Sequence, residues 1–156
     1  MITSPSGGEP QAFHSIAQAD YVSVLATTPS GQIPLVRQYR PAIERFTLEL
    51  PGGINDSAET PAVVAVRELF EETGFRASSD PVLLGNLTPD PGRLENRFWC
   101  FFVGVEESTG WHAEAQVERV LFSRAELRES ILDGGFEHAL HIALINLAIM
   151  RGCFRW

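Results

Sequence analysis

The stretch Gly53 to Phe75, which closes on Arg67-Glu68-Leu69-Phe70-Glu71-Glu72-Thr73-Gly74-Phe75, holds the densest chemistry in the chain. Wound as a helix at about 100° per residue, it separates into two faces. Ala62, Val63, Val66, Leu69, Phe70 and Thr73 form an apolar stripe suited to a core. Glu68, Glu71 and Glu72 sit at i, i+3 and i+4 and gather on the opposite face. Carboxylates placed this way, with no lysine among them, repel one another. A hard divalent cation such as Mg²⁺ takes oxygen ligands and neutralises that charge. A solvated acidic face is the ordinary fate of a lone glutamate pair, but the spacing here favours the cation. Thr60 is placed to cap the helix, and Pro61 takes the first helical position, where its missing N–H is not needed. Gly74 can turn left-handed and stop it. Ahead of the helix, Pro51-Gly52-Gly53 reads as a strand end opening into a loop where the backbone can approach a ligand closely.

The spacing resembles the signature of the Nudix hydrolase family, G-x5-E-x7-R-E-U-x-E-E-x-G-U with U a bulky apolar residue. Gly53, Glu59, Arg67, Glu68, Leu69, Glu71, Glu72, Gly74 and Phe75 fill every fixed position. The resemblance implies a strand–loop–helix element in which Glu68, Glu71 and Glu72, joined by the Gly53 carbonyl, ligate Mg²⁺, with Mn²⁺ as a substitute. It gives Glu71, Glu72 and Arg67 catalytic roles, Arg67 acting with Glu59 to position the loop and helix. The fold it implies is α+β: a Nudix fold, with a mixed β-sheet sandwiched between helices as an α/β/α sandwich.

Composition sets bounds on these expectations. The chain has 156 residues, 44% of them hydrophobic and 21% charged. A single domain over 1–156 with a substantial core is expected, residues 1–12 being a flexible arm rich in Pro, Gly and Ser. A formal charge of −8 argues against extended nucleic-acid binding, since no basic stripe is present to displace counterions. It leaves room for a small nucleotide substrate, because a bound cation and a few arginines reverse the field locally. Cys100 and Cys153 show no metal-ligand spacing and read as thiols of a reducing cytoplasm. No signal peptide is evident, and the apolar run from Ala139 to Met150 is too short to span a bilayer. A soluble, cytoplasmic protein is expected.

In chain order, Tyr21–Thr27 and Ile33–Tyr39 read as strands joined through Pro29-Ser30-Gly31 into a hairpin. Arg45–Leu50 alternates, Phe46, Leu48 and Leu50 against Thr47 and Glu49, as a half-buried strand does. Pro81–Leu87, Arg97–Val105 and Gln116–Phe122 are further strands, the second apolar enough to be buried on both faces. Ser123 caps a short helix to about Leu132, Asp133-Gly134-Gly135 breaks it, and His138–Met150 is a closing amphipathic helix.

The flanks narrow the resemblance. Val36-Arg37-Gln38-Tyr39-Arg40-Pro41, then Glu49-Leu50-Pro51-Gly52-Gly53, and Pro91 about sixteen residues past the signature, are similar to the ADP-ribose and ADP-sugar pyrophosphatase branch. The implied reaction is hydrolysis of a nucleoside diphosphate linked to another moiety, ADP-ribose or an ADP-sugar giving AMP and a sugar phosphate. An arginine fork matches phosphate oxygens, so Arg40 and then Arg37 are the expected diphosphate contacts. Glu49 is expected to ligate metal or hold a ribose hydroxyl, and Pro91, Arg93 and Glu95 to reach substrate from the far side. Glu114 is the first candidate for the general base, Glu118 the alternate and His112 a weaker one. His138 and His141, at i and i+3, are read as ordinary helix residues. That branch also exchanges N-terminal strands between subunits to sandwich the base. Here about twenty residues precede Tyr21, with Phe13 their one aromatic, which leaves the base-binding half of the site and a homodimer open. A nucleoside triphosphate or capped-RNA pyrophosphohydrolase, and a non-catalytic nucleotide-sensing module, are the rival readings.

Overall fold

The structure, a computed structural model, describes residues 7–56, 58–109, 111 and 117–156. Its strands are β1 (Asp20–Thr27), β2 (Ile33–Arg40), β3 (Arg45–Glu49), β4 (Gly52–Asn55), β5 (Phe75–Ala77), β6 (Val82–Leu87), β7 (Phe98–Glu107) and β8 (Val117–Phe122). The helices are α1 (Pro61–Thr73), α2 (Arg124–Leu132) and α3 (Ala139–Met150). The strands form two sheets, one in the order β4-β1-β7-β5 with β6 also on β7, the other β3-β2-β8. The β1–β7 pair is parallel and the other pairings are antiparallel, so the first sheet is mixed as expected.

Strand β7 anchors the first sheet because it is apolar on both sides. Phe98 and Cys100 face a core shared with Leu25, Leu84, Phe136, Leu144, Ile145 and Phe154. Phe101, Val103 and Val105 face a second core with Val22, Val24, Val64, Ala65 and Leu69, beneath α1. Alternation along a strand sends neighbours to opposite faces, and both faces here are covered by helices.

Four expectations are corrected. Strands β1 and β2 do not form a hairpin: after the turn at Thr28–Gln32 they diverge into separate sheets. Val22 to Ala26 are all buried, so β1 needs a strand on each edge, and β4 and β7 supply them. Helix α1 is rotated relative to the apolar stripe, burying Val64, Ala65, Leu69, Glu72 and Thr73 while Val63 stays exposed. The acidic residues therefore lie along the edge of the packed face. In β3, Phe46 is exposed and Glu49 buried, the reverse of a hydrophobicity rule, because the inward face of this strand lines a polar cleft. Finally, Gly52–Asn55 is a paired strand rather than a loop, with Val22 opposite Gly53 and Ser23 opposite Gly52. Two glycines carry no side-chain pattern to announce it.

Helix α1 ends as its sequence dictates. Gly74 adopts φ 73°, and its N–H donates to the Phe70 carbonyl at 2.8 Å. A Cβ there would lie 2.5 Å from the Trp111 ring. Gly74→Ala is expected to lose about 1–2 kcal/mol from the left-handed backbone and more from displacing Trp111. Urea unfolding followed by tryptophan fluorescence measures it. A loss under about 0.5 kcal/mol would contradict the role given to Trp111 as a wall against this turn.

Candidate active site

The two sheets and α3 enclose a cleft of about 570 Å³. Gly52, Gly53 and Ile54 of β4 and Glu72 of α1 line one side, Gln38, Arg40 and Glu49 of the second sheet another, and His138 and His141 a third. Gln18, Ala19 and Tyr21 also reach the cleft, although nothing in their sequence context marks them.

At the α1 end, carboxylates press against backbone. Glu72 is buried, and its Oε2 accepts the Gly52 N–H at 2.9 Å. Gly53 lies so close to Glu68 that a Cβ would sit 2.5 Å from the carboxyl carbon. Arg67 Nη1 lies 2.8 Å from both Glu68 Oε1 and Glu71 Oε2, and its Nε lies 3.3 Å from Glu59. The guanidinium thus relieves part of the repulsion among these carboxylates. A hard divalent cation fits this donor set: three carboxylates and the carbonyl of a glycine without a Cβ to hold them apart.

Across the cleft, Glu49 is buried and binds Arg40 through both oxygens, from Arg40 Nε at 2.7 Å and Nη2 at 2.6 Å. Thr47 Oγ1 donates to the same carboxylate at 2.6 Å, and Gln38 Nε2 reaches it at 3.5 Å. Burial alone would raise the Glu49 pKa, but the hydrogen bonds from Arg40 and Thr47 outweigh it and hold the carboxyl at about 2. Glu49 is therefore committed to orienting Arg40, whose side chain keeps 47% exposure and faces the cleft. A carboxylate oxygen of Glu49 and a nitrogen from each of His138 and His141 lie within 4.8 Å of one another.

The histidines are not the ordinary helix residues their spacing suggested. His141 is buried, its Nδ1 accepts the Leu50 N–H at 3.1 Å, and its ring stacks on His138 with centroids 3.7 Å apart. His138 is the N-cap of α3, its Nδ1 accepting the His141 N–H. Burial, helped by His138, pushes His141 down to about 3, against the pull of Glu49. Burial also lowers His138. Histidines inside a largely apolar helix give no sequence signal of this kind.

The other anticipated residues fall elsewhere. Arg37 sits on the opposite face of β2 from Gln38 and Arg40, its guanidinium 4.3 Å above the Phe46 ring and 3.1 Å from Glu118. That pairing also occupies Glu118. Pro91 lies exposed in the turn after β6 and lines no part of the cleft. Arg93 and Glu95 hold the N-terminal segment instead: Ile16 N–H donates to the Arg93 carbonyl at 2.7 Å, and Ser15 Oγ donates to Glu95. Glu114 and His112 lie outside the described residues.

The comparisons agree with this architecture. The family model described as the NUDIX domain matches residues 17–142. The chain belongs to that family. It is 34% identical over 127 residues to an ADP-ribose pyrophosphatase of Mycobacterium tuberculosis, covering 78% of this chain and 61% of that protein. It is 46% identical over 56 residues to an ADP-ribose pyrophosphatase of Bacillus subtilis, covering 36% of this chain and 30% of that one. A crystal structure of an ADP compounds hydrolase superposes with a TM-score of 0.72 at 21% identity, over 88% of this chain and 77% of that one. The chain thus spans less than two thirds of the length of these two curated relatives. No helix among the described residues is long and apolar enough to cross a membrane.

The pKa shifts fix an acid sensitivity. His141 has an ordinary pKa of 6.5 when unfolded and about 3 when folded, so between these values the unfolded chain binds the extra proton. Stability is full above pH 6.5 and falls on acidification by roughly 1.4 kcal/mol per pH unit for each such proton. Below pH 4.5 the depressed Glu49 adds a loss of the same sign. Urea midpoints measured from pH 7 to 4 should fall from about pH 6.5 downward. His141→Asn, which keeps an acceptor for the Leu50 N–H but does not titrate, should flatten the upper part of that curve. A wild-type curve level down to pH 5 would contradict the buried neutral histidine.

Proposed function

We propose that this chain is a Mg²⁺-dependent pyrophosphohydrolase that cleaves the diphosphate of a nucleoside diphosphate linked to a second moiety. ADP-ribose or an ADP-sugar, giving AMP and a sugar phosphate, is the substrate the relatives' names favour. One observation carries the reading. A single cleft has the Glu72 carboxylate on the Gly52 backbone at one side, with Glu68 packed against Gly53, and a guanidinium held by a buried carboxylate on the other.

A diphosphate is protected from water by its own negative charge, so the protein must neutralise it from two directions. Glu68, Glu71 and Glu72 with the Gly53 carbonyl would hold the cation, which when bound supplies charge neutralisation and a more acidic attacking water. Glu72 is fixed for this by the Gly52 N–H, and Arg67 keeps Glu68 and Glu71 apart from full mutual repulsion. Arg40, its Nε and Nη2 held by Glu49, presents its free N–H groups to phosphate oxygens on the opposite wall. Water adds to one phosphorus, the bond from that phosphorus to the bridging oxygen breaks, and the water proton passes to a base, for which Glu114 is our candidate. Positioning and electrostatics account for the rest. The two free thiols, Cys100 buried and pushed up to about 12 by that burial, accord with a reducing cytoplasm.

Glu72→Gln keeps the shape and an acceptor for Gly52 but removes the charge. It is expected to lower kcat on ADP-ribose with Mg²⁺ by roughly 10²-fold or more, with a melting temperature close to that of the wild type. A wild-type rate would remove the metal assignment. A panel of ADP-ribose, ADP-sugars, nucleoside triphosphates and capped RNA then ranks substrates. AMP released from the ADP compounds supports this reading, diphosphate or phosphate released only from the others replaces it, and tight ADP-ribose binding without product favours a sensing module.

A further inference from the structure

The convergence of Glu49, His138 and His141 has the composition of a transition-metal site, two imidazoles and a carboxylate. Its hydrogen bonds say otherwise. A histidine that binds metal through one nitrogen donates a proton from the other. Here Nδ1 of His141 accepts from the Leu50 N–H, and Nδ1 of His138 accepts from the His141 N–H. In a neutral imidazole the nitrogen that accepts is unprotonated, so the proton sits on Nε2 in both rings. Metal on either Nε2 would drive a proton onto Nδ1, where it would face a backbone N–H. Glu49 is equally unavailable. Its Oε1 accepts Arg40 Nε and Thr47 Oγ1, and its Oε2 accepts Arg40 Nη2 with Gln38 Nε2 further off.

What remains is a pair of proton donors. Both rings line the cleft, and neither Nε2 has an acceptor among the described residues. His141 is 5% exposed and lines the cleft, so its Nε2–H is open to a hydrogen-bond acceptor only from the cleft. Arg40 stands beside them with Nη1 uncommitted. The α3 N-terminus, where His138 is the cap, adds the partial positive charge of unpaired N–H groups. Donors from three sources, beside a Glu49 carboxylate whose oxygens are already taken, suit an oxyanion.

We propose that His138 and His141 form a phosphate-oxygen subsite with Arg40, each contributing a neutral Nε2–H donor. This rests on the proposed function in that the bound group would be one phosphate of the same diphosphate, held apart from the carboxylate end of the cleft. The substitutions that test it are His138→Asn and His141→Asn. Asparagine places an oxygen where Nδ1 was, and it is among the best N-caps, so the backbone partner is kept while the cleft donor is lost.

Each variant is expected to raise KM for ADP-ribose roughly tenfold, the cost of one lost hydrogen bond to a charged group, with kcat changed less and the melting temperature retained. A purely structural pair predicts unchanged KM in variants that fold normally, which would overturn the proposal. A second measurement needs no turnover. In protein labelled with ¹⁵N-histidine, long-range spectra report which ring nitrogen carries the proton, and the two variants assign the signals. We expect Nε2–H tautomers for both residues and a shift of those signals on adding orthophosphate. Nδ1–H tautomers, tight Zn²⁺ binding at these rings, or signals indifferent to phosphate would each overturn it. If phosphate shifts the signals but no ADP compound is hydrolysed, the subsite stands and the substrate reading falls. Hydrolysis with unchanged KM in both variants gives the converse.

Discussion

The approach of α1 to the Gly52–Gly53 backbone is the constraint on which the site depends. Glutamates in the last two turns of a helix oppose its dipole, and Glu72 is also buried. The chain offsets this with contacts at each side. The Gly52 N–H satisfies Glu72, Arg67 bridges Glu68 and Glu71, and the exposed end of α1 is closed from behind. There Trp111 Nε1 donates to the Glu71 carbonyl at 3.0 Å and Arg119 Nη1 to the Thr73 carbonyl at 2.9 Å. Arg119 also lies 4.9 Å over the Trp111 ring and 5.3 Å over that of Phe75. A guanidinium at a helix C-terminus stabilises the negative end that the acidic residues aggravate. The packing concentrates negative charge on the cleft side of α1 and positive charge behind it.

Much of this was legible because its physics is local. The Gly74 C-cap of α1, the Ser123 cap of α2 and the run of apolar residues in β7 are each set by neighbours in sequence, whereas Thr60 stands at the N-cap of α1 without a side-chain cap hydrogen bond. The spacing of Glu68, Glu71 and Glu72 and the doublet Gly52-Gly53 marked the carboxylate end of the cleft before any strand was placed. What could not be read depends on partners distant in the chain. Glu49 is buried because Arg40 lies beside it in the neighbouring strand and Thr47 shares its own, and periodicity alone would have turned it outward. Arg37 and Arg40 look equivalent in sequence, yet three residues along a strand place them on opposite faces. Arg37 is spent on Glu118 and Phe46. The histidines acquire meaning only when α3 meets the Leu50 backbone, 91 residues away.

The split into two sheets explains why those distant partners meet. Were β1 and β2 one hairpin, Arg40 would extend the same surface as β4. Because β1 is drawn into the centre of one sheet and β2 into the other, a cleft opens between them with α3 across it. Its walls differ in chemistry. The β4–α1 wall carries the Glu72 carboxylate, with Glu68 packed against the Gly53 backbone. The β2–β3 wall carries one carboxylate, Glu49, already neutralised by Arg40.

That asymmetry assigns a reason to the neutrality of the histidines. A protonated imidazole beside Arg40 would compete for Glu49 and loosen the fork that orients the guanidinium. Burial lowers the pKa of both rings and favours their uncharged forms, and backbone N–H groups fix which nitrogen holds the proton. Neutral donors add hydrogen bonds to this wall without altering its charge. Arg40 therefore remains the charged donor of this wall, oriented by Glu49 and set by the two sheets opposite Glu72 of α1.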